Sequence, residues 1–286
     1  MSNDWPFRVH KNDRFVKLIQ KLEELKIVEF KKSGNSNKLN LLEPNTLLEV
    51  FRTVFFLYAS PARKTYGIGF CKTTNRLIIK GDCIDFAFIN PSTDKAKQIL
   101  SILITKEDDF IYESAFNALI SIYLGTLEYL DMIFPNTYIT ELGKKTHEFD
   151  ILLGTHDKKC IVVETTRGFD KETDKIDETY TWHFKKALFR KWMIEKIYNV
   201  ECHLCYLTLK ELIDSAPKEA VPEELSDDTD DTSETNPLIR KLLEIEGNKL
   251  QIIDLGAAFK NSFNEEELDS LLMNEIVEKL KELFTA

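Results

Sequence analysis

A chain of 286 residues, 43% hydrophobic and 30% charged, has enough apolar material for a sizeable core and the composition of a globular protein, which excludes a disordered or fibrous polymer. It contains no apolar run of the ~18 residues a membrane helix needs, and its start, MSNDWPFRVHKNDR, lacks a signal peptide's apolar centre, so the expected location is cytoplasmic (intracellular). The net charge of −10 is unevenly spread: residues 1–80 hold 15 Lys and Arg against 7 Asp and Glu, a net of +8, which leaves −18 for residues 81–286. A basic half in an acidic protein points to a polyanionic partner such as nucleic acid.

From the N-terminus, residues 13–25 predict a helix, with Phe15, Leu18, Ile19, Leu22 and Leu25 at helical spacing and the basic residues Lys11, Arg14, Lys17 and Lys21 mostly on its other side. Two strand-like runs follow, 27–30 and 38–42, joined by the turn Ser33-Gly34-Asn35-Ser36-Asn37. Arg14, Lys17, Lys21, Lys31, Lys32 and Lys38 are the candidate nucleic-acid contacts of this region, against the plainer reading of a solvated basic face. Segment 45–59 is a further candidate helix. Residues 60–105 predict short strands at 65–71, 76–79 and 84–89, a small sheet without evident function.

Residues 107–132 predict an amphipathic helix carrying Glu113, and 136–141 a strand. Two apolar runs, 149–153 and 160–163, flank the polar turn 154–159 and predict a β-hairpin. Asp150 lies near the start of the first run and Glu164 at the end of the second, with thirteen residues between them, so the two carboxylates are expected on adjacent strands and on one side. Carboxylates planted in neighbouring strands are expensive to desolvate unless compensated. A divalent cation is a common compensation, because Mg²⁺ binds through one or two carboxylates plus phosphate oxygens.

Residues 176–198 predict a long helix with His183, Lys185, Lys186 and Lys191, 200–209 a strand, 250–255 an edge strand and 264–284 a closing amphipathic helix. Segment 215–237, with −7 between residues 218 and 236, is too polar to bury itself and predicts a disordered acidic insert. The five cysteines are too scattered for a disulfide framework. Cys202-His203-Leu204-Cys205 has half of a zinc-site spacing, but residues three apart in a strand face opposite sides, so buried strand cysteines are expected instead.

The segment HEFDILLGTHDKKCIVVETTR, residues 147–167, resembles the core of the PD-(D/E)XK (restriction-endonuclease-like) nuclease superfamily: a strand Asp, a turn, then an apolar strand closing in Asp/Glu-x-Lys. The order helix, three strands, helix, strand over 106–210 is similar to that family as well. The resemblance implies a central mixed β-sheet flanked by helices. It implies Mg²⁺ (or Mn²⁺) held by Asp150, Glu164 and the main-chain carbonyl of Thr165, with Glu113 as an outer ligand. Thr166 stands where the family keeps its lysine. Some members carry that lysine on the following helix, which makes Lys185 and Lys186 the candidate catalytic amines; Glu148 is a rival ligand to Asp150. The helix and hairpin of residues 13–42 resemble the second half of a winged helix-turn-helix domain.

The expected organisation is a winged-helix-like basic unit at 1–100 and a nuclease-like α/β domain at 101–286. The expected function is a metal-dependent nuclease acting on DNA; a homodimer is allowed and a membrane partner is not expected. Two alternatives stay open: a catalytically inactive nuclease-fold protein that binds DNA or regulates, and an assembly partner without a nucleic-acid role.

Overall fold

The computed structural model describes residues 5–10, 12–33, 36–59, 69–71, 76–78, 92–104, 109–141, 144–166, 176–208, 244–254 and 271–285. The expected strand at 84–89, the acidic insert at 215–237 and the start of the closing helix lie outside them. The chain begins with β1 (Arg8–His10) and α1 (Asp13–Glu24). Asn12 caps α1: its Oδ1 accepts from the Arg14 and Phe15 amides at 2.9 and 3.4 Å, two donors the helix cannot satisfy itself. The hairpin β2 (Val28–Ser33) and β3 (Ser36–Leu41) follows, then α2 (Pro44–Ala59). Two short strands, β4 (Gly69–Cys71) and β5 (Arg76–Ile78), pair with each other.

The next element differs from expectation. No element was expected at 92–104, where Asp94–Leu103 form α3. Thr93 caps it, accepting from the Ala96 amide at 3.2 Å, and Ala96, Ile99 and Leu100 are buried at helical spacing. α4 (Asp109–Leu124) ends eight residues short of the expected 132, because the chain turns at Gly125 and re-enters as a longer strand, β6 (Leu130–Glu141). The rest of the core is β7 (Lys144–Thr155), β8 (Cys160–Thr166), α5 (Ile176–Tyr198), β9 (Cys202–Thr208) and β10 (Leu250–Asp254). The closing helix winds with π spacing over Leu271–Glu278 before α6 (Lys279–Thr285).

The architecture is α/β: a mixed six-stranded sheet in the order β1-β6-β7-β8-β9-β10 with helices on both faces. The pairs β1–β6, β6–β7 and β7–β8 are antiparallel, whereas β8–β9 and β9–β10 are parallel, with α5 making the crossover from β8 to β9. Because helices cover both faces, β8 and β9 are buried along their whole length.

Successive residues feed two cores. Ile161, Val163, Cys205 and Leu207 face α2, α3 and α4; Cys160, Val162, Cys202 and Leu204 face Phe184, Ala187 and Leu188 of α5. Cys202 and Cys205 thus lie in different cores, as the strand period requires. The first core also takes in Leu18 and Leu22 of α1, so one buried apolar cluster draws on both sides of residue 100. Phe51, Phe55, Tyr58 and Phe116 stack where α2 meets α4, the Tyr58 and Phe116 rings 4.7 Å apart. Among the described residues no helix is long and apolar enough to cross a membrane.

Candidate active site

The β7–β8 ladder runs from Gly154↔Cys160 to Ile151↔Val163 and stops there. One residue further along the same register, Asp150 and Glu164 stand opposite each other, where the strands part. The parting leaves the Thr165 amide without a strand partner on that side, and the Asp150 carboxylate takes its place: Thr165 N donates to Asp150 Oδ2 at 2.7 Å. Thr165 Oγ1 also lies 3.1 Å from that oxygen and 3.2 Å from Asn117 Oδ1 on α4.

Asp150 and Glu164 were expected on one side; they take different hydrogen-bond partners, while their charges act on each other and Arg190 acts on both. Asp150 is held by Thr165, whose hydroxyl reaches α4, whereas Glu164 Oε2 accepts a hydrogen bond from Arg190 Nη1 of α5. β7 also carries a slip in its alternation near Asp150. Phe149 and Leu152 both belong to the α5-side core, while Ile151 and Leu153 belong to the other. Directly across from Asp150 on β6, Asn136 adopts a left-handed backbone, φ 48°, which interrupts the regular pleat. Strict period-two counting therefore fails at Asp150.

Charge still links these groups. Burial pushes the Glu164 carboxyl well above the usual range, and the Asp150 charge adds to that push while Arg190 and Lys186 oppose it. Burial also raises Asp150, against which the Thr165 amide and Arg190 act. On α4, Glu113 is raised to about 8, first by burial and then by the charges of Asp150 and Glu148. Glu164 Oε1 is buried with no hydrogen-bond partner among the described residues. Tyr58 of α2 belongs to the same neighbourhood: burial and the charge of Glu113 hold its hydroxyl well above its ordinary range.

Lys186 and Arg190 are one helical turn apart on α5, and the Lys186 charge acts on both Glu113 and Glu164. Lys185 and Lys186 are both exposed, and of the two it is the Lys186 charge that ranks among the main influences on these acids. Arg190 is not among the basic residues expected from the sequence; the i+4 spacing from Lys186 is the signal that could have found it. Lys191 serves elsewhere, since it is buried and ion-paired to Glu195 at 3.0 Å and Glu246 at 2.7 Å. Glu148 is exposed within β7, its carboxylate accepting from the Tyr138 hydroxyl at 3.2 Å. Thr166 is buried, and the Arg167 position lies outside the described residues.

The donor set fits a hard cation. Two opposed carboxylates, one with a buried oxygen unpartnered among the described residues, and the carbonyl of Thr165 are oxygen ligands of the type Mg²⁺ takes. Among the described residues no group of three or more His, Cys, Asp and Glu is placed to hold a metal ion; Glu113 is linked to this set through the charge of Asp150.

Of the basic N-terminal candidates, three are tied to acids of the chain. Lys21 pairs with Glu24 at 3.0 Å, Lys31 with Glu29 at 3.0 Å, and Lys38 with Glu128. Arg14 and Lys17 are exposed on α1; the Lys32 side chain is outside the described residues.

No protein-family model matches the chain, and a search of curated proteins finds no match.

Proposed function

We propose that the chain is a metal-dependent nuclease hydrolysing phosphodiester bonds of DNA, with a PD-(D/E)XK-like site that lacks the strand lysine and uses Arg190 in its stead. The observation that carries this reading is the buried Glu164, opposite Asp150 where two strands part, with one carboxylate oxygen unpartnered among the described residues. The succession α4, β6, β7, β8, α5, β9 supports it, being the helix-strand order that residues 106–210 share with that family.

Asp150, Glu164 and the Thr165 carbonyl would hold the cation, which when bound supplies an activated water and a Lewis acid at the phosphate. Arg190 neutralises Glu164 and presents fixed positive charge beside it. A guanidinium stays protonated, so its contribution is charge and orientation, never proton abstraction. Lys186, one turn away, adds a second positive charge facing the acids. Exposed Arg14 and Lys17 on α1 supply sequence-independent phosphate contacts.

One observation favours a second reading, a catalytically inactive nuclease-fold protein that binds DNA or regulates. Arg190 already compensates the Glu164 charge, so the fold tolerates that acid without a cation. Calorimetric titration with Mn²⁺, together with Mg²⁺- or Mn²⁺-dependent cleavage of single- and double-stranded DNA and RNA, separates the two. The nuclease reading expects binding, cleavage, and loss of cleavage by orders of magnitude in Glu164→Gln. Cleavage that survives in Glu164→Gln refutes the assigned site; absence of both binding and cleavage leaves the inactive reading.

A further inference from the structure

A line of amide and hydroxyl groups joins α4 and β6 to Asp150. Asn136 Nδ2 donates to the Ser114 carbonyl at 3.0 Å, and Asn117 Nδ2 donates to Asn136 Oδ1 at 3.1 Å. Asn117 Oδ1 faces the Thr165 hydroxyl at 3.2 Å, and Thr165 contacts Asp150 through both its amide and its hydroxyl. The direction of this line is fixed at one end. A main-chain carbonyl only accepts, so Ser114 obliges Asn136 to turn its NH₂ inward. The Asn136 oxygen then obliges Asn117 to do the same, which leaves the Asn117 oxygen aimed at Thr165. Asn117 is fully buried, and the Thr165 hydroxyl stands between its oxygen and Asp150 Oδ2, within donating reach of both.

Asn136 is suited to this place in two ways. Its φ of 48° is a conformation that asparagine tolerates better than most residues, and its amide bridges Ser114 and Asn117. Glycine would satisfy the backbone but make no bridge. The Asn136 carbonyl accepts from Asn12 Nδ2 at 3.3 Å, so the cap of α1 is tied to the same residue.

We infer that Asn117 and Asn136 are positioning residues: anchored on the Ser114 carbonyl, they lock the Thr165 side chain and thereby hold Asp150 where β7 and β8 part. The role of Asp150 as a cation ligand rests on the function proposed above; the locking of Thr165 does not.

The test uses the full chain with Asn136→Gly, which keeps the left-handed backbone unstrained while deleting the bridge, and Asn136→Asp, which keeps the shape but loses the NH₂. Amide hydrogen exchange is followed at Thr165 and, as an internal reference, at Ile161 and Val162; Mn²⁺ affinity is measured on the same samples. Both variants should exchange the Thr165 amide about tenfold faster than wild type, the worth of roughly one hydrogen bond, with Ile161 and Val162 unchanged. Mn²⁺ should bind both variants about tenfold more weakly, by the same reasoning. Wild-type exchange at Thr165 in both variants overturns the inference, as does equal acceleration at all three positions, which would mark a general loosening. If wild-type protein binds no Mn²⁺, the proposed function fails, and exchange at Thr165 alone still decides the positioning role.

Discussion

Replacing Arg190 by Met should destabilise the protein in a manner that depends on pH. The Arg190 and Glu164 side chains are only 7% and 8% exposed, and Glu164 Oε1 already lacks a partner among the described residues. Removing the guanidinium strands Glu164 as an uncompensated buried charge, a loss of about 3–5 kcal/mol for a pair of this kind. Glu164 is an acid whose folded pKa is raised, chiefly by burial. Its ionisation therefore costs stability, and that cost is absent below the ordinary value of 4.5 and grows as pH rises toward the folded pKa. Arg190 offsets this cost in the wild type. In Arg190→Met the loss should be largest at pH 8 and shrink toward pH 5, where the buried carboxyl keeps its proton. Glu164→Gln on the Arg190→Met background should recover about 2 kcal/mol at pH 8, because an amide leaves no buried charge behind. Urea unfolding of the wild type, the single and the double variant at pH 5 and pH 8 measures each quantity. A loss below about 1 kcal/mol at pH 8, the range of a surface pair, or an equal loss at both pH values, would refute the buried-pair reasoning.

Glu113, raised to about 8, should make wild-type stability fall as pH climbs from about 5 to 8; Glu113→Gln should flatten its share of that slope in the same urea experiment. Lys186→Ala should slow metal-dependent cleavage at saturating substrate far more than Lys185→Ala, since of the two it is the Lys186 charge that ranks among the main influences on Glu113 and Glu164; equal effects in steady-state kinetics would contradict the assignment. Gly154→Ala should lower stability in thermal unfolding by about 1–3 kcal/mol and alter tryptophan fluorescence, because a Cβ there would press into the Trp5 ring. Arg14→Ala with Lys17→Ala should reduce the salt dependence of DNA binding more than Lys21→Ala with Lys38→Ala, whose amines already pair with Glu24 and Glu128.

Periodicity in the sequence determined most elements. The 176–198 helix coincides with α5, and the two apolar runs and their polar turn became β7 and β8, because those segments bury one face or both and their residue pattern records it. Local signals for α3, where no element was expected, were present too: a threonine cap and apolar residues at 96, 99 and 100. The carboxylates Asp150 and Glu164 were legible as opposed residues of a hairpin, since register follows from turn length.

Tertiary structure alone decided what surrounds them. The left-handed Asn136 interrupts the pleat opposite Asp150, and Asp150 and Glu164 take different hydrogen-bond partners, the Thr165 amide and Arg190. Arg190 rather than a lysine meets Glu164, because the rotation of α5 against β8 is set by Phe184, Ala187 and Leu188 packing into the core. Tyr58 and Asn117 join the site only because α2 and α4 pack together on the face opposite α5. Backbone periodicity is a local property that a sequence carries in itself. Which side chains converge on a buried charge depends on how packed layers rotate against one another, and no spacing along the chain encodes that.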